Sequence, residues 1–304
     1  MNLQSAYVHV IADAATSLLA IFAHPDDESF CAGGALAILA AAGTRVSVLC
    51  LTRGEAGSVD PALLETAGAA SVPELRTNEL ERACALLGLE PPLWLPYHDS
   101  GFHRPSTLPR RLVNADPLSV STQIASVIET LEPEALMTFD PHGFYGHPDH
   151  VATHRAALRA WFISGHLPRP PQRLYYPLPS MTMIERFRSA GFGDLEPQRY
   201  AVSASDVAVR VDTRPVLERK RAAILAHASQ SSAGSGIDRL LPELRLGTTS
   251  SLLTEEFYAL GATRSINERT ARSGANCVRN CVSPAERRMR DCRCILSRDS
   301  MRFS

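Results

Sequence analysis

The stretch that decides the fold is Ser17-Leu18-Leu19-Ala20-Ile21-Phe22-Ala23-His24-Pro25-Asp26-Asp27-Glu28. A short apolar run that stops at a polar cluster reads as a parallel strand buried on both faces. Outward from it, residues 30–42 are rich in Ala and Leu and close on Gly43, which predicts a helix. Residues 45–51 give a second strand, and residues 74–87 a second helix with Pro73 near its first turn and Gly88 just past its end. Residues 93–97 form a third strand. Val120, Ile124, Val127, Ile128 and Leu131 then recur at helical spacing as an apolar stripe. Residues 135–139 form a fourth strand, and Pro148 opens a helix running to position 161. This alternation predicts an α/β fold: a Rossmann-like, mostly parallel sheet with helices on both faces. In such sheets chemistry gathers beyond the carboxyl ends of the strands.

The core is expected over 17–165 and a smaller C-terminal lobe over about 166–264. Pro168, Pro170, Pro171, Pro177 and Pro179 mark a loop-rich crossover into that lobe, followed by a strand at 208–211 and a helix at 216–228. From Arg264 the composition changes to ten Arg and four acidic residues with no periodic apolar face. Residues 265–304 therefore read as a disordered, solvated tail. Its Cys277, Cys281, Cys292 and Cys294 lack the usual zinc-knuckle spacing. Cys31, Cys50 and Cys84 lie in apolar stretches and read as reduced core residues. A net charge of −1 offers no field to draw nucleic acid or an anionic membrane. No apolar run approaches the ~20 residues that span a bilayer, and residues 1–19 lack a secretory pattern. The location expected is cytoplasmic, with no nucleic-acid or membrane partner; a homo-oligomer is left open.

Two segments carry chemistry. Ala23-His24-Pro25-Asp26-Asp27-Glu28 packs an imidazole and three carboxylates into the carboxyl end of the first strand. Adjacent carboxylates raise one another's pKa unless a cation compensates them. His24 and Asp27, three apart, can aim at one point, which leaves Asp26 for acid–base work. The second segment, residues 140–150, follows the fourth strand and contains His147-Pro148-Asp149-His150. Meeting above the sheet, the two segments can supply His24, Asp27 and His150 to one ion with a position open for water, a common catalytic zinc set. Fe(II) or another divalent ion fits the same donors. Each residue also has a plainer reading: Asp26 or Asp149 as a helix N-cap, Pro-Asp as a turn, a lone His as a surface residue. These plainer readings would have to coincide at two strand ends.

At these residues the sequence resembles the LmbE-like, or PIG-L, family of zinc-dependent N-deacetylases. The family's A-H-P-D-D-E stands here at 23–28 and its H-P-D-H at 147–150. Thr52-Arg53-Gly54-Glu55-Ala56-Gly57 is similar to its T-x-G-E-x-G loop, and residues 220–230 to its Lys…His…Gln helix. Within the family the likeness extends to the mycothiol-pathway branch, through Asp99-Ser100-Gly101, residues 114–117 and residues 145–150. The resemblance implies an enzyme that removes acetyl from the nitrogen of an N-acetyl amino-sugar small molecule. It implies His24, Asp27 and His150 as zinc ligands, Asp26 as general base and His147 as the charged partner of the transition state. Tyr145 would polarise the acyl oxygen, Asp149 would orient His147, and Arg76 and Asp99 would hold the substrate.

Competing readings keep the metal and change the use. An Fe(II) oxygenase shares the donor set but sits on antiparallel double sheets, which the helix alternation argues against. A metal-dependent sugar-binding protein without turnover leaves a spare Asp26 unexplained. An amidase acting on a larger thiol conjugate remains open within the enzyme reading.

Overall fold

The computed structural model describes residues 15–102, 105–189, 196–200, 204–231 and 251–264. Its strands are β1 (Ser17–Phe22), β2 (Arg45–Cys50), β3 (Leu93–Trp94), β4 (Ala135–Thr138), β5 (Arg173–Leu178), β6 (Val209–Asp212) and β7 (Glu255–Thr263). The longer helices are α1 (Asp27–Ala41), α2 (Pro61–Ala67), α3 (Val72–Leu87), α4 (Pro117–Leu131), α5 (Pro148–Ile163), α6 (Met181–Ser189) and α7 (Leu217–Ala226).

The strands form one sheet in the order β3-β2-β1-β4-β5-β7-β6. β1 lies inside the sheet, next to the central strand β4, and is parallel to β2 on one side and β4 on the other. The chain therefore winds outward from β1 in both directions, and the carboxyl ends of β1 and β4 are neighbours. This topological switch point places the two His/Asp-rich loops side by side.

Alternation along β1 splits the core. Leu18, Ala20 and Phe22 pack with Cys31, Leu36 and Leu39 of α1 and with Leu80 and Cys84 of α3. Leu19 and Ile21 pack on the opposite face with Val120, Ile124 and Ile128 of α4 and with Ala157 and Trp161 of α5. The apolar stripe of α4 thus meets the sheet as its spacing predicts. Cys31, Cys50 and Cys84 are buried and unpaired, with thiols pushed up by burial.

The stretch expected to form a smaller C-terminal lobe adds β5, β6 and β7 to the same sheet. Inside the stretch read as a Pro-rich crossover, β5 runs parallel to β4 and antiparallel to β7, which in turn pairs antiparallel with β6. Pro177 hides this strand from a sequence reading. It is tolerated because the β4 ladder ends at Tyr175, so its missing N–H removes no bond there. The third strand is shorter than predicted, Leu93–Trp94. The tail assigned to residues 265–304 lies outside the described residues. No helix among the described residues is long and apolar enough to cross a membrane.

Candidate active site

Beyond Phe22 the chain turns sharply and starts α1 at Asp27. Asp26 makes the turn at φ 113°, ψ −29°, a region L-residues rarely adopt. Its side chain does not cap α1. Asp27 instead folds back, its Oδ2 accepting from the His24 amide at 2.8 Å. Beyond β4, Asp140 Oδ1 accepts from the Phe144 amide at 2.6 Å and closes the loop that leads into α5. Helix α5 opens with Pro148, and His147 caps it through Nδ1, which accepts from the Asp149 amide at 3.1 Å.

These two loops bring His24, Asp27 and His150 together. His24 Nδ1 lies 3.3 Å from His150 Nε2. Asp27 Oδ1 lies 3.2 Å from His150 Nε2, and its Oδ2 lies 3.6 Å from His24 Nδ1. All three residues are buried. His150 Nδ1 faces the Gly143 carbonyl at 3.1 Å, so its proton sits there and Nε2 presents a lone pair. His24 Nε2 faces Asp149 Oδ2 at 3.1 Å and Asp99 Oδ1 at 3.5 Å, so Nδ1 is its lone-pair atom.

Two lone pairs and a carboxylate converging in a buried triangle repel one another without a cation between them. Ligands about 2.1 Å from a tetrahedral ion are roughly 3.4 Å apart, the spacing found here. The donor set therefore fits a divalent metal ion. A His147 ring nitrogen also lies within 4.8 Å of ligand atoms of His24 and His150. The carboxylates behind His24 follow the pattern by which outer groups fix a ligating imidazole. Burial works against charging His24, but Asp99 and Asp149 prevail and raise its pKa well above the ordinary value, so that Nδ1 is held either by a cation or, in its absence, by a second proton.

Asp26 stands beside this triangle. Its Oδ2 accepts from Arg76 Nη2 at 3.1 Å. Burial, opposed by Arg76, pushes its carboxyl up to about 7. Burial also raises the Tyr145 phenol, which stays protonated over the neutral range. Asp99 is held below the usual carboxylate range by His24 despite burial.

Several expected residues sit differently from their predicted use. The Asp149 carboxylate does not reach toward His147; it accepts from His24 Nε2 and from the Ser100 amide at 2.8 Å. Because α5 starts between these residues, the Asp149 amide is what meets His147. Accepting at Nδ1, His147 is a neutral ring with its proton on Nε2; burial and the neighbouring His24 and His150 push its pKa down. Arg76 is no surface residue. Its Nη1 donates to the Gly54 carbonyl at 2.9 Å and its Nη2 to the Pro25 carbonyl, binding the loops after β1 and β2 together. A Cβ on Gly54 would lie 1.8 Å from Arg76 Nη1, and the backbone there has φ +65°, which explains the glycine. Asp99 borders His24, its amide donating to Glu55 Oε2 at 2.9 Å. Tyr145 lies edge-on to His150 with centroids 5.0 Å apart. His154 holds the Phe139 carbonyl, and His142 is exposed beside Asp140.

Sequence reasoning missed three contributors. Phe139 stacks on His150 at 3.9 Å, and Phe102 on His147 at 5.1 Å. Single aromatics in loops carry no spacing signal. The third is Glu28, whose Oε1 meets His227 Nε2 at 2.8 Å. His227 belongs to the Lys…His…Gln helix, but a contact across 199 residues leaves no local trace.

A mostly parallel sheet with a buried two-His, one-carboxylate cluster at its switch point marks an α/β protein with a candidate metal site. The chain belongs to the PIG-L family, whose description is GlcNAc-PI de-N-acetylase and whose match covers residues 19–161. It is 36% identical to the 1D-myo-inositol 2-acetamido-2-deoxy-alpha-D-glucopyranoside deacetylase of Rhodococcus opacus (strain B4), over 80% of this chain and 90% of that protein. Among solved structures it is similar to the N,N'-diacetylchitobiose deacetylase of Pyrococcus horikoshii, with TM-score 0.55 and 21% identity over 86% of this chain and 93% of that one. It is also similar to GalB, the 4-carboxy-2-hydroxymuconate hydratase of Pseudomonas putida KT2440, with TM-score 0.53 and 23% identity over 83% and 98%. Structures this distant share the fold, and the hydratase shows that the fold alone does not fix the reaction.

Proposed function

We propose that this protein hydrolyses the N-acetyl amide of an amino-sugar small molecule, releasing acetate and a free amine, with a glucosaminyl inositol as the substrate class. The observation that carries the reading is Asp26: a carboxylate beside the His24–Asp27–His150 triangle and outside its ligand set. A site that only binds needs no such spare base. The named relatives of comparable length act on an acetamido sugar joined to inositol, which supports the substrate class.

His24 Nδ1, Asp27 and His150 Nε2 would hold the ion, with zinc preferred and Fe(II) the alternative for this donor set. Such an ion supplies Lewis-acid activation of water and of the acyl oxygen. Asp26 takes the proton of the attacking water as the C–O bond forms. Arg76 fixes the direction of that carboxylate. The carbonyl oxygen gains negative charge, and the Tyr145 hydroxyl and the Nε2–H of His147 would donate to it. His147 acts as a neutral donor in this scheme, since its Nδ1 is occupied by the Asp149 amide. When the C–N bond breaks, Asp26 returns its proton to the leaving nitrogen. Asp99 and Asp149 keep the His24 ring oriented, and Asp99 would also meet a sugar hydroxyl in this reading.

The test is acetate release from a panel of N-acetyl amino sugars, including the inositol glycoside, with chelator and metal add-back. Chelator-sensitive release, greatest on the inositol glycoside, is the expected result. Metal-loaded protein that releases acetate from no panel member would overturn the reading.

A further inference from the structure

Asp26, Asp27 and Glu28 are consecutive carboxylates, yet each faces a different partner. Asp26 meets Arg76, Asp27 meets the histidine triangle, and Glu28 turns away from both. Glu28 is 1% exposed and His227 fully buried. Glu28 Oε1 lies 2.8 Å from His227 Nε2 and accepts from Ser29 Oγ at 2.5 Å. Its other oxygen, Oε2, accepts from the Asp26 amide at 3.0 Å. The chain of contacts therefore runs from the end of α7 through one carboxylate to the peptide whose φ of 113° aims Asp26. A non-glycine residue held in such a region costs on the order of 1–3 kcal/mol and persists only where its surroundings over-determine it. The glutamate's own backbone is in α1, so its carboxylate needs a second anchor to hold the turn rather than follow it. His227 is that anchor.

We infer that Glu28 and His227 form a positioning pair that locks the Asp26 peptide in its left-handed conformation and so sets the direction of the Asp26 carboxylate. This rests on the deacetylase reading for its kinetic consequence but not for its geometry. Both side chains are buried behind the Asp26 turn and act through Asp26 rather than on the reacting atoms. A misaimed base leaves binding intact and slows chemistry, because reacting groups displaced by ~1 Å lose about 10²-fold.

The experiment compares His227→Ala, His227→Gln and the near-isosteric Glu28→Gln, each also placed on Asp26→Asn. His227→Ala is expected to lower kcat about 10–100-fold, with KM within about twofold and metal content unchanged. His227→Gln, whose amide N–H still reaches Glu28, should recover most of the loss. On Asp26→Asn none of the three changes should lower the rate further, since residues acting as a unit are non-additive. A plain folding role would add to the Asp26 defect instead. If His227→Ala does not fold, Glu28→Gln carries the same comparison. Additive losses, or a folded His227→Ala with wild-type kcat, would overturn the pair. If wild-type protein releases no acetate, the deacetylase reading fails by itself. The pair is then judged by a crystal structure of Glu28→Gln or His227→Ala, in which Asp26 kept near φ 113° would overturn it and a relaxed turn would support it.

Discussion

At Asp26 a charged side chain occupies a backbone conformation that favours glycine, and it is held there from three directions. Arg76 grips both the Pro25 carbonyl and the carboxylate, and the Glu28 side chain takes the amide. Asp26→Asn keeps the shape and the Arg76 contact but removes the proton acceptor. Turnover should fall at least ~10²-fold, the usual weight of a general base, while metal content by atomic absorption stays at the wild-type level. Loss of the metal instead would move Asp26 into the ligand set. His150→Ala, by contrast, should empty the site, because His150 Nε2 has its lone pair aimed at Asp27 and His24; full metal occupancy in that variant would remove His150 from the ligands. The convergence of His24, Asp27 and His150 is legible in the sequence because both of their loops concentrate polar residues directly after apolar strands. The partners behind it are not. The family resemblance implies that Asp149 orients His147, and only the start of α5 shows that the amide, not the carboxylate, faces that ring.

At the scale of elements, α1 carries the site and is clamped by the C-terminal strands. Glu256 of β7 sends its carboxylate against α1, where Oε1 accepts from the Gly34 amide and Oε2 from the Ala35 amide, both at 2.8 Å. Tyr258 also donates to Oε2 at 2.6 Å. Lys220, the sole lysine and 1% exposed, sets its Nζ 2.8 Å from Oε1, close enough for an ion pair though not aligned as a hydrogen bond. Gly34 makes this approach possible. A Cβ there would stand 2.1 Å from Thr213 Cγ2 and 2.9 Å from Glu256 Oε1. Gly34→Ala should therefore destabilise by about 1–3 kcal/mol through overpacking, although alanine gains ~1 kcal/mol in helix propensity. Urea titration reads the sign directly, and a stabilised variant would mean that α1 can shift freely. Lys220→Met should cost about 3–5 kcal/mol by stranding a buried carboxylate, with Lys220→Met/Glu256→Gln recovering part of it; no recovery would place the loss in packing rather than charge. Of this clamp only Lys220 shows in the sequence, as the sole lysine and the first residue of the Lys…His…Gln segment; its partner Glu256 does not. Strands β1, β2 and β4 were legible as apolar runs between helices. β5 was masked by Pro177, and β7 mixes glutamates with apolar residues because Glu256 points inward to α1 rather than outward to solvent.

For the whole molecule the question is what joins the ends of β1 and β4, whose loops bear like-charged or lone-pair atoms toward each other. Two occupants satisfy the triangle: a metal ion, or a proton on one of the imidazoles paired with Asp27. They differ in what removes them. A bound ion stabilises the folded chain by mass action, by about 4 kcal/mol at a thousandfold excess over its Kd. At roughly 2–4 °C per kcal/mol for a domain of this size, stripping it should lower the Tm by about 10 °C. Dialysis against chelator at fixed pH, followed by zinc add-back, should therefore lower and then restore the melting temperature together with metal content. The far-UV circular dichroism should stay unchanged, because the sheet and its two apolar layers do not depend on the site. A melting temperature indifferent to chelator in protein shown to be metal-free would mean that a proton holds the triangle, and the hydrolytic reading would lose its source of activated water.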